Sequence, residues 1–353
     1  MTNKIRIVFI INAITHYQLS FFNTLRKFLN IKVLFYSKNH KNYNFTYKKE
    51  KFIHFIEDNK KKLFFITNFI INFKPSFLIL GGYKLKYSYS IIKLLKDIKI
   101  KYFYWLERQD KNRKLKLKIM HFFLKDILLK ADGILSVGKE ASRFYKKYNR
   151  EVLNLPYSIE INKINNRKYF NNNKVNFLFV GQLIKRKGLD LVLNAINNLN
   201  PEVQNKIFFT IIGNGELSKE IEILENTRNN LKYYSFQSIN KLNKFYLCND
   251  VLLFPSRFDG WGVVPMEAMS NGMLIISSKN CGANELIKKN KGNIIIDSNT
   301  KDLTNAIIKC FKNKNCIKEF GSVNRNLIIN SIYNVKNSSK LLSEYLNKYD
   351  NRN

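Results

Sequence analysis

The sequence predicts an α/β protein made of two doubly wound, parallel-sheet domains in series. The chain has 353 residues, which is too long for one ordinary core and suits two domains of roughly 150 to 200 residues. Short β-branched and aromatic runs alternate with longer stretches of helical period almost from end to end, which is typical of parallel sheets covered on both faces. That alternation lapses once, in the polar, Asn-rich stretch 156–174, which we interpret as the domain boundary.

The first domain begins with an apolar strand and then alternates regularly. Strands are predicted at IRIVFII, IKVLFY, FLILGG, IKYFYWLE and GILSVG, and helices at YQLSFFNTLRKFL, SYSIIKLLKDI, LKLKIMHFFLKDILLKA and EASRFYKKY. The stretch 59–74, NKKKLFFITNFIINFK, sets lysines beside an apolar, aromatic run. It is interpreted either as a surface-seeking helix or as a buried helix of this domain.

The second domain repeats the alternation after the boundary. Strands are predicted at VNFLFVG, IFFTIIG, LKYYSF, DVLLFPS, LIISS and NIIID, and helices at GLDLVLNAINNL, LSKEIEILENT, INKLNKFYLC and VPMEAMSNG. These patterns place the first domain at 1–165 and the second at 166–330. The remaining stretch, 331–353, is predicted as an amphipathic helix that packs back toward the first domain.

The charge of the chain is strongly positive and has two interpretations. Lys and Arg number 61 against 26 Asp and Glu, which gives a formal net charge of +35. One interpretation is compositional drift with a solvated surface. The other is attraction to polyanions, either a phosphate-bearing substrate, an anionic membrane face or nucleic acid. A nucleic-acid binder would cluster arginine and aromatic residues on one face, whereas the lysines here are spread throughout, so nucleic acid is not the expected partner.

Cysteine usage and the lack of long apolar runs bound the location of the protein. The four cysteines contain no CxxC pair, which argues against a zinc site or disulfide framework and favours a reducing compartment. No run reaches the roughly 18 to 20 apolar residues of a membrane helix, and the N-terminal run lacks a small-residue cleavage site. We expect a cytoplasmic protein that is soluble or lies on the inner face of the membrane.

Strand-to-helix loops of the second domain carry groups suited to phosphate, because open parallel sheets bind ligands beyond the carboxyl ends of their strands. In FVGQLIKRKG, Gly181 ends a strand, and Lys185, Arg186 and Lys187 precede a helix. Amides at a helix start with cations in front form an anion site, although this motif alone is equally a plain basic loop. FTIIGNGEL, with Gly213, sits at the same end of the same sheet.

A third loop holds two acids beside glycine-rich backbone. In FDGWGVVPMEAMSNG, Asp259 precedes Gly262, and Glu267 follows in the first turns of the next helix. Glycine lets backbone approach a ligand closely, and carboxylates accept hydrogen bonds from vicinal hydroxyl groups. The two carboxylates can accept hydrogen bonds from hydroxyl groups, and the backbone amides between them suit phosphate. These groups match the parts of a nucleotide sugar.

The motifs VGQLIKRKG, IGNGEL, LLFPSRFDGWGVVPMEAMSNG and IISSKNCGANELI together resemble the donor domain of family 4 glycosyltransferases. Their order and spacing match over most of 175–297, including the signature of two acids separated by seven residues. The resemblance implies the GT-B fold, two Rossmann-like domains facing across a cleft, and a retaining transferase. Its donor is a nucleotide sugar.

Carried over from this resemblance, Glu267 binds the ribose hydroxyls and Asp259 the hydroxyls of the transferred sugar, as a catalytic-site acid. The amides of Gly262 and Val263 meet the diphosphate, together with Lys187.

The donor loops also depart from the family pattern. Gly181, which lets the chain turn tightly, and Gly213 are among the residues expected to bind the donor. Gln182 stands where the family usually has Arg, and Arg186 is the candidate to supply that cation. Asp259 is one methylene shorter than the usual Glu.

The N-terminal half resembles the family more loosely. His16 and Tyr17, in the first strand-to-helix loop, occupy the position where relatives contact donor phosphate and acceptor. Glu107, with Arg108, ends the IKYFYWLE strand near the position where many relatives carry a catalytic-site His, and Glu107 is therefore the second catalytic candidate.

The sequence thus predicts a metal-independent, retaining hexosyltransferase of surface polysaccharide or glycolipid biosynthesis. It needs no cofactor, and no Asp-x-Asp motif suggests a metal. Its expected partners are a nucleotide sugar, a glycan or lipid-linked acceptor and, peripherally, an anionic membrane. Three alternatives stay open: a UDP-sugar epimerase of the same fold, a basic nucleic-acid binder, and a catalytically silent relative.

Overall fold

The computed structural model describes residues 4–37, 50–56, 62–82, 90–91, 100–110, 125–161 and 174–351. By internal contacts the chain divides into two compact units: Met1–Glu160 with Ile332–Asn353, and Ile161–Ser331. Most of the helices predicted at 88–98 and 115–131, and most of the Asn-rich stretch 156–174, lie outside the described residues.

The strands and helices alternate along the chain. The strands are β1 Arg6–Ala13, β2 Asn30–Ser37, β3 Ile53–Phe55, β4 Phe77–Gly81, β5 Lys101–Glu107, β6 Gly133–Val137, β7 Val152–Asn154, β8 Val175–Val180, β9 Ile207–Ile212, β10 Leu231–Tyr234, β11 Val251–Phe254, β12 Leu274–Ser278 and β13 Ile294–Ile296. The helices are α1 His16–Leu25, α2 Lys62–Phe73, α3 Lys139–Tyr145, α4 Leu189–Asn197, α5 Pro201–Gln204, α6 Ser218–Asn226, α7 Ile239–Cys248, α8 Val263–Ser270, α9 Asn284–Ile287, α10 Thr300–Lys312, α11 Ile317–Ile329 and α12 Val335–Asp350. Short 3₁₀ turns occupy Lys185–Lys187 and Lys314–Cys316.

The first unit is built on a parallel sheet with strand order β3-β2-β1-β4-β5-β6-β7. The order reverses direction between β1 and β4, which creates the switch point where ligands bind in doubly wound sheets. One face of this sheet packs against α2, α3 and the helical stretch 125–130, whose inward residues share a single apolar cluster. Ile66 and Ile70 of α2 are fully buried in that cluster.

The last helix, α12, packs on the other face of the first sheet, beside α1. The rings of Tyr345 and Tyr349 lie 6.1 and 5.2 Å from the ring of Phe103 on β5. The Tyr349 hydroxyl also donates to the backbone carbonyl of Asp132 at 3.3 Å. Aromatic contact and a hydrogen bond therefore tie the end of the chain to the first sheet.

The second unit is built on a parallel sheet with strand order β10-β9-β8-β11-β12-β13. Its core includes Phe177 and Phe209, whose stacked rings lie 5.4 Å apart. Helix α10 packs on α4, and α11 packs on α8. The fully buried Asn324 of α11 donates to the Met273 carbonyl at 2.7 Å and so fixes α11 against the chain that enters β12.

Within the described residues, every helix falls short of the combined length and apolarity needed to cross a membrane. The apolar residues of both units are instead distributed over sheets and the helices that cover them.

Candidate functional site

The candidate site of the second unit lies along the sheet edge where β8, β9, β11 and β12 end. Because the strands are parallel, the loops that follow them share this edge. Gly181 and Gly213 directly follow β8 and β9, and a Cβ atom added to Gly213 would lie 1.8 Å from the Gly181 carbonyl oxygen. Only glycine fits at position 213, so the first two predicted loops lie in direct backbone contact.

Arg257, in the loop after β11, holds the basic 3₁₀ turn Lys185–Lys187. Its backbone N–H donates to the Arg186 carbonyl at 2.9 Å, and its guanidinium donates to the Lys185 carbonyl. The guanidinium also makes two 2.7 Å hydrogen bonds to the two carboxylate oxygens of Asp190. Hydrogen bonding to Asp190 raises the pKa of Arg257 above its usual range. Arg257 thus holds the predicted phosphate loop, and its two hydrogen bonds to Asp190 anchor it on α4.

Two of the predicted donor-binding residues form an ion pair. The Lys187 ammonium lies 2.5 Å from Oδ2 of Asp259, and their side chains are 20% and 14% exposed. Lys187 Nζ also lies 5.7 Å from the centre of the Phe254 ring. Partial burial strengthens a charge-assisted hydrogen bond, while the remaining exposure leaves both groups accessible to a ligand. Opposite charges therefore join the first and third predicted loops.

Gln182 and Arg186 are also brought together. The Arg186 guanidinium donates to Oε1 of Gln182 at 3.3 Å and to the Phe258 carbonyl at 3.1 Å. Arg186 therefore contacts both Gln182, the residue predicted to replace an arginine, and the third loop. This placement agrees with its predicted role without testing it.

Gly262 directly precedes α8 in a conformation that only glycine adopts easily. Its φ angle is +92°, and a Cβ atom there would lie 2.9 Å from Sγ of Cys281. The N–H of Ala283 donates to the Trp261 carbonyl at 2.7 Å, and the Trp261 side chain is buried. Backbone of the loop after β12 thus holds the start of α8, where Val263 is the first helical residue.

Glu267, on α8, accepts a hydrogen bond from Tyr246, on α7. The Tyr246 hydroxyl lies 2.7 Å from Oε2 of Glu267, and only 3% of Tyr246 is exposed. The buried ring leaves the hydroxyl little freedom, so this contact restricts where the carboxylate points. The two predicted acids therefore have different partners, a lysine for Asp259 and a tyrosine for Glu267.

The arrangement combines donors for anions with acceptors for hydroxyl groups at one sheet edge. Lys187 and Arg186 supply positive charge. The backbone N–H groups in the first turn of α8 add the positive end of the helix dipole. Asp259 and Glu267 supply acceptors. A ligand with phosphate at one place and hydroxyl groups on either side matches these groups.

Tyr246, Arg257 and Asp190 were not predicted from the sequence. Tyr246 belongs to a helical pattern in which an aromatic residue indicates only burial. Arg257 directly precedes the FDGWG stretch, but its pairing with a residue of α4 follows from the fold. The position of Arg257 beside that stretch was the one available signal.

The predicted residues of the first unit lie at the carboxyl edge of its own sheet. His16 begins α1, and its ring lies 5.4 Å from that of Tyr17, which in turn lies 5.1 Å from the ring of Tyr157. Glu107 ends β5, and its backbone carbonyl accepts a 2.9 Å hydrogen bond from the Tyr145 hydroxyl. Strand β4 lies between β1 and β5 in the sheet, so the loop after β1 and the end of β5 are two strand positions apart along this edge.

Arg108 follows Glu107 and pairs with Glu140, with 2.6 Å between Nη1 and Oε2. Among the described residues, no group of three His, Cys, Asp or Glu side chains is placed to hold a metal ion. The metal independence expected from the sequence remains a prediction.

The second unit matches the model of a known family. Residues 160–327, just under half of the chain, match the family model described as "Glycosyl transferases group 1". The match contains every residue predicted to bind the donor. No curated protein sequence matches the chain significantly.

Comparison with solved structures identifies the fold of the whole chain. Alr3699/HepE from Anabaena, solved in complex with UDP, aligns with a TM-score of 0.75 at 13% identity over 98% of this chain and 100% of that one. Sucrose-phosphate synthase from Thermosynechococcus elongatus aligns with a TM-score of 0.76 at 12% identity over 99% and 100%. WaaG, a glycosyltransferase involved in lipopolysaccharide biosynthesis, aligns with a TM-score of 0.71 at 12% identity over 96% and 99%.

These likenesses confirm the predicted fold class. Both sheets are parallel and doubly wound, and the chain shares the GT-B fold of the matched structures over nearly its full length. At such identities the likeness establishes the architecture alone.

Proposed function

We propose that this protein is a retaining, metal-independent glycosyltransferase that moves a hexose from a nucleotide-diphosphate sugar to a glycan or lipid-linked acceptor. The observation that best supports the proposal is the Lys187–Asp259 ion pair, which lies beside the start of α8 within the segment that matches the family model. A lysine suited to diphosphate and an acid suited to sugar hydroxyls are in contact there.

In this proposal the residues 166–330 bind the donor. Glu267, oriented by Tyr246, receives the ribose hydroxyls, and Asp259 receives hydroxyls of the transferred sugar. Lys187 and the amides of Gly262 and Val263 bind the diphosphate, with Arg186 in support. Each charge-assisted hydrogen bond contributes on the order of 1.5 to 3 kcal/mol. UDP and UDP-glucose complexes of the Anabaena neighbour support a donor of this class.

The chemistry of transfer follows from these charges. The bond between the anomeric carbon and the diphosphate oxygen breaks, and negative charge grows on the departing diphosphate. Lys187 and the α8 amides stabilise that charge, which is the preorganised electrostatic contribution that lowers the barrier. The acceptor oxygen bonds to the anomeric carbon on the face that the diphosphate leaves, and its proton passes to the departing diphosphate, so the configuration is retained.

Residues 1–165 bind the acceptor in this proposal. His16 and Tyr17 lie in the first strand-to-helix loop, and Glu107 ends β5 on the same sheet edge. WaaG and the galactosyltransferase WaaB are described as lipopolysaccharide enzymes. Their likeness to this chain supports surface polysaccharide or glycolipid as the acceptor class.

The test is nucleotide release from a panel of UDP, GDP and ADP sugars, measured with and without EDTA. We expect release from at least one donor, unchanged by EDTA, and a loss of at least tenfold in kcat/KM on Glu267→Ala. Lys187→Met should lower kcat more than it raises KM, because its main contact strengthens as the diphosphate leaves.

Each failure has a distinct meaning. Calorimetry with UDP, GDP and ADP and with their sugars would refute the donor site if no compound bound. Binding without turnover would leave a catalytically silent relative. Turnover that persists in Glu267→Ala would refute the site assignment. The family match and the glycosyltransferase neighbours do not favour the epimerase alternative.

A further inference from the structure

Helix α2 exposes large apolar side chains on the side that faces away from its sheet. Ile66 and Ile70 point into the core and are fully buried. Phe64 and Ile71, two helical turns apart, lie on the opposite side of the helix, and Phe64 is 67% exposed. The large apolar residues of α2 with more than a third of their surface in water are Leu63, Phe64, Phe65 and Ile71.

A second helical stretch in the same layer adds to this surface. Residues 125–130 are helical, and Ile127 and Leu128 belong to the same apolar cluster as Ile66 and Ile70. The stretch therefore covers the same sheet face as α2. Leu129 points outward from it and is 53% exposed. We define the α2 face as Leu63, Phe64, Phe65, Ile71 and Leu129.

Lysines border these apolar side chains. Lys62 is the first residue of α2 and Lys74 follows its last, and the stretch 62–74 contains no acidic residue. Lys125 and Lys130 flank Leu129, and the one acid between them, Asp126, is paired with Lys130. The chain as a whole carries a net charge of +35. An apolar helix face bordered by lysines is the composition of segments that rest in the boundary between lipid head groups and acyl chains.

We propose that the α2 face docks on an anionic lipid bilayer. Phe64, Phe65 and Ile71 enter the acyl boundary, and the bordering lysines approach the negative head groups. Charge complementarity favours a bilayer over a second copy of the chain, since another copy brings the same positive charge to the contact. The inference does not depend on the transferase activity.

Vesicle flotation of the full chain provides the first test. We expect binding to vesicles of phosphatidylcholine with phosphatidylglycerol, little binding to phosphatidylcholine alone, and release as salt rises toward 1 M. The double variant Phe64→Ser with Ile71→Ser should weaken binding at least fivefold while keeping the net charge. Ile223→Ser is the matched control, because Ile223 is 66% exposed on α6 of the second unit; it should bind like the parent chain.

Insertion is tested by placing tryptophan at the same positions. Both natural tryptophans are buried, so a new exposed one reports its own surroundings. In anionic vesicles, the fluorescence emission of the new tryptophan in Phe64→Trp should shift to shorter wavelength and be quenched by brominated lipid. The fluorescence of the new tryptophan in Ile223→Trp should show neither change.

Four results would overturn the proposal. They are no binding to anionic vesicles at low salt, equal binding of the serine double variant, unquenched Phe64→Trp in bound protein, and a dimer in light scattering that the double variant abolishes.

Discussion

The Tyr246 hydroxyl donates a 2.7 Å hydrogen bond to Oε2 of Glu267 from a ring that is almost entirely buried. This contact connects α7 to the acid proposed to hold the ribose, and it makes Tyr246 a positioning residue. Loss of a positioning residue should change donor binding, whereas loss of a merely structural residue should change only the stability of the fold.

We predict that Tyr246→Phe raises the KM for the donor about fivefold to tenfold and changes kcat less than twofold. The loss corresponds to about 1 to 1.4 kcal/mol, as expected when a hydrogen bond to a charged group is removed. Steady-state kinetics and nucleotide calorimetry measure it. Glu267→Ala, which removes the ribose contact itself, should be more severe. A fivefold to tenfold fall in kcat with an unchanged KM in Tyr246→Phe would contradict the positioning role.

Lys187 and Asp259 should behave as a coupled pair. Because each neutralises the other in the free protein, removing one leaves the partner charge partly buried and uncompensated. In a cycle of Lys187→Met, Asp259→Asn and the double variant, we predict a coupling free energy of about 1 kcal/mol or more in thermal or urea unfolding. Additive single effects would show that the pair does not persist in solution.

Gly262→Ala should destabilise the protein and disable the donor loop together. Its φ of +92° is unfavourable for alanine, and the new Cβ would meet Cys281 Sγ at 2.9 Å. We expect a loss of about 1 to 3 kcal/mol in unfolding free energy and a clear rise in donor KM. Val263→Ala, one residue later, is the control for general sensitivity of the helix start. Wild-type stability of Gly262→Ala would mean that the loop relaxes.

Arg257→Lys tests the support of the basic turn. Lysine keeps the charge but cannot make the two parallel hydrogen bonds that the Arg257 guanidinium makes to Asp190. We predict a loss of about 1 kcal/mol of stability and weaker binding of nucleoside diphosphate, with the binding of the free nucleoside unchanged. Calorimetry with UDP and uridine makes the comparison. A parallel loss for both ligands would point to general loosening instead.

Cysteine labelling should divide the four thiols into two pairs. Cys248 and Cys316 are exposed, whereas Cys281 and Cys310 are buried. Burial raises the pKa of Cys310 to about 12, so at pH 8 only about one molecule in ten thousand carries the reactive thiolate there. Iodoacetamide at pH 8 should modify Cys248 and Cys316 first, as read by peptide mass spectrometry. Rapid modification of Cys310 in the native protein would contradict the packing of α10.

Much of the fold was predictable because its central strands are buried on both faces and bounded by turn residues. The predicted run IRIVFII became β1, and DVLLFPS became β11. The edge strands β3 and β7 were missed because three residues are too few to show a period. Helices α10 and α11 were not predicted either, although α10 has an N-cap, Asn299, which accepts from the Asp302 N–H.

The candidate site was predictable in its composition more than in its contacts. Lys187, Asp259, Gly262 and Glu267 were identified by spacing and by resemblance. That Lys187 pairs with Asp259, more than seventy positions further along the chain, depends on the order of β8 and β11 in the sheet. Sequence proximity cannot show such a partner, and nothing near Glu267 in sequence indicated Tyr246.

The return of α12 to the first sheet means that the first unit is encoded in two pieces, separated by the whole of the second. During synthesis, 161–331 is finished before 332–353 has been made. The second unit can therefore complete its folding before Tyr349 is available to pack on Phe77 and Phe103. A ribosome that stops early would release a chain with a finished second unit and an uncovered first sheet, a species for which chaperones and proteases would compete.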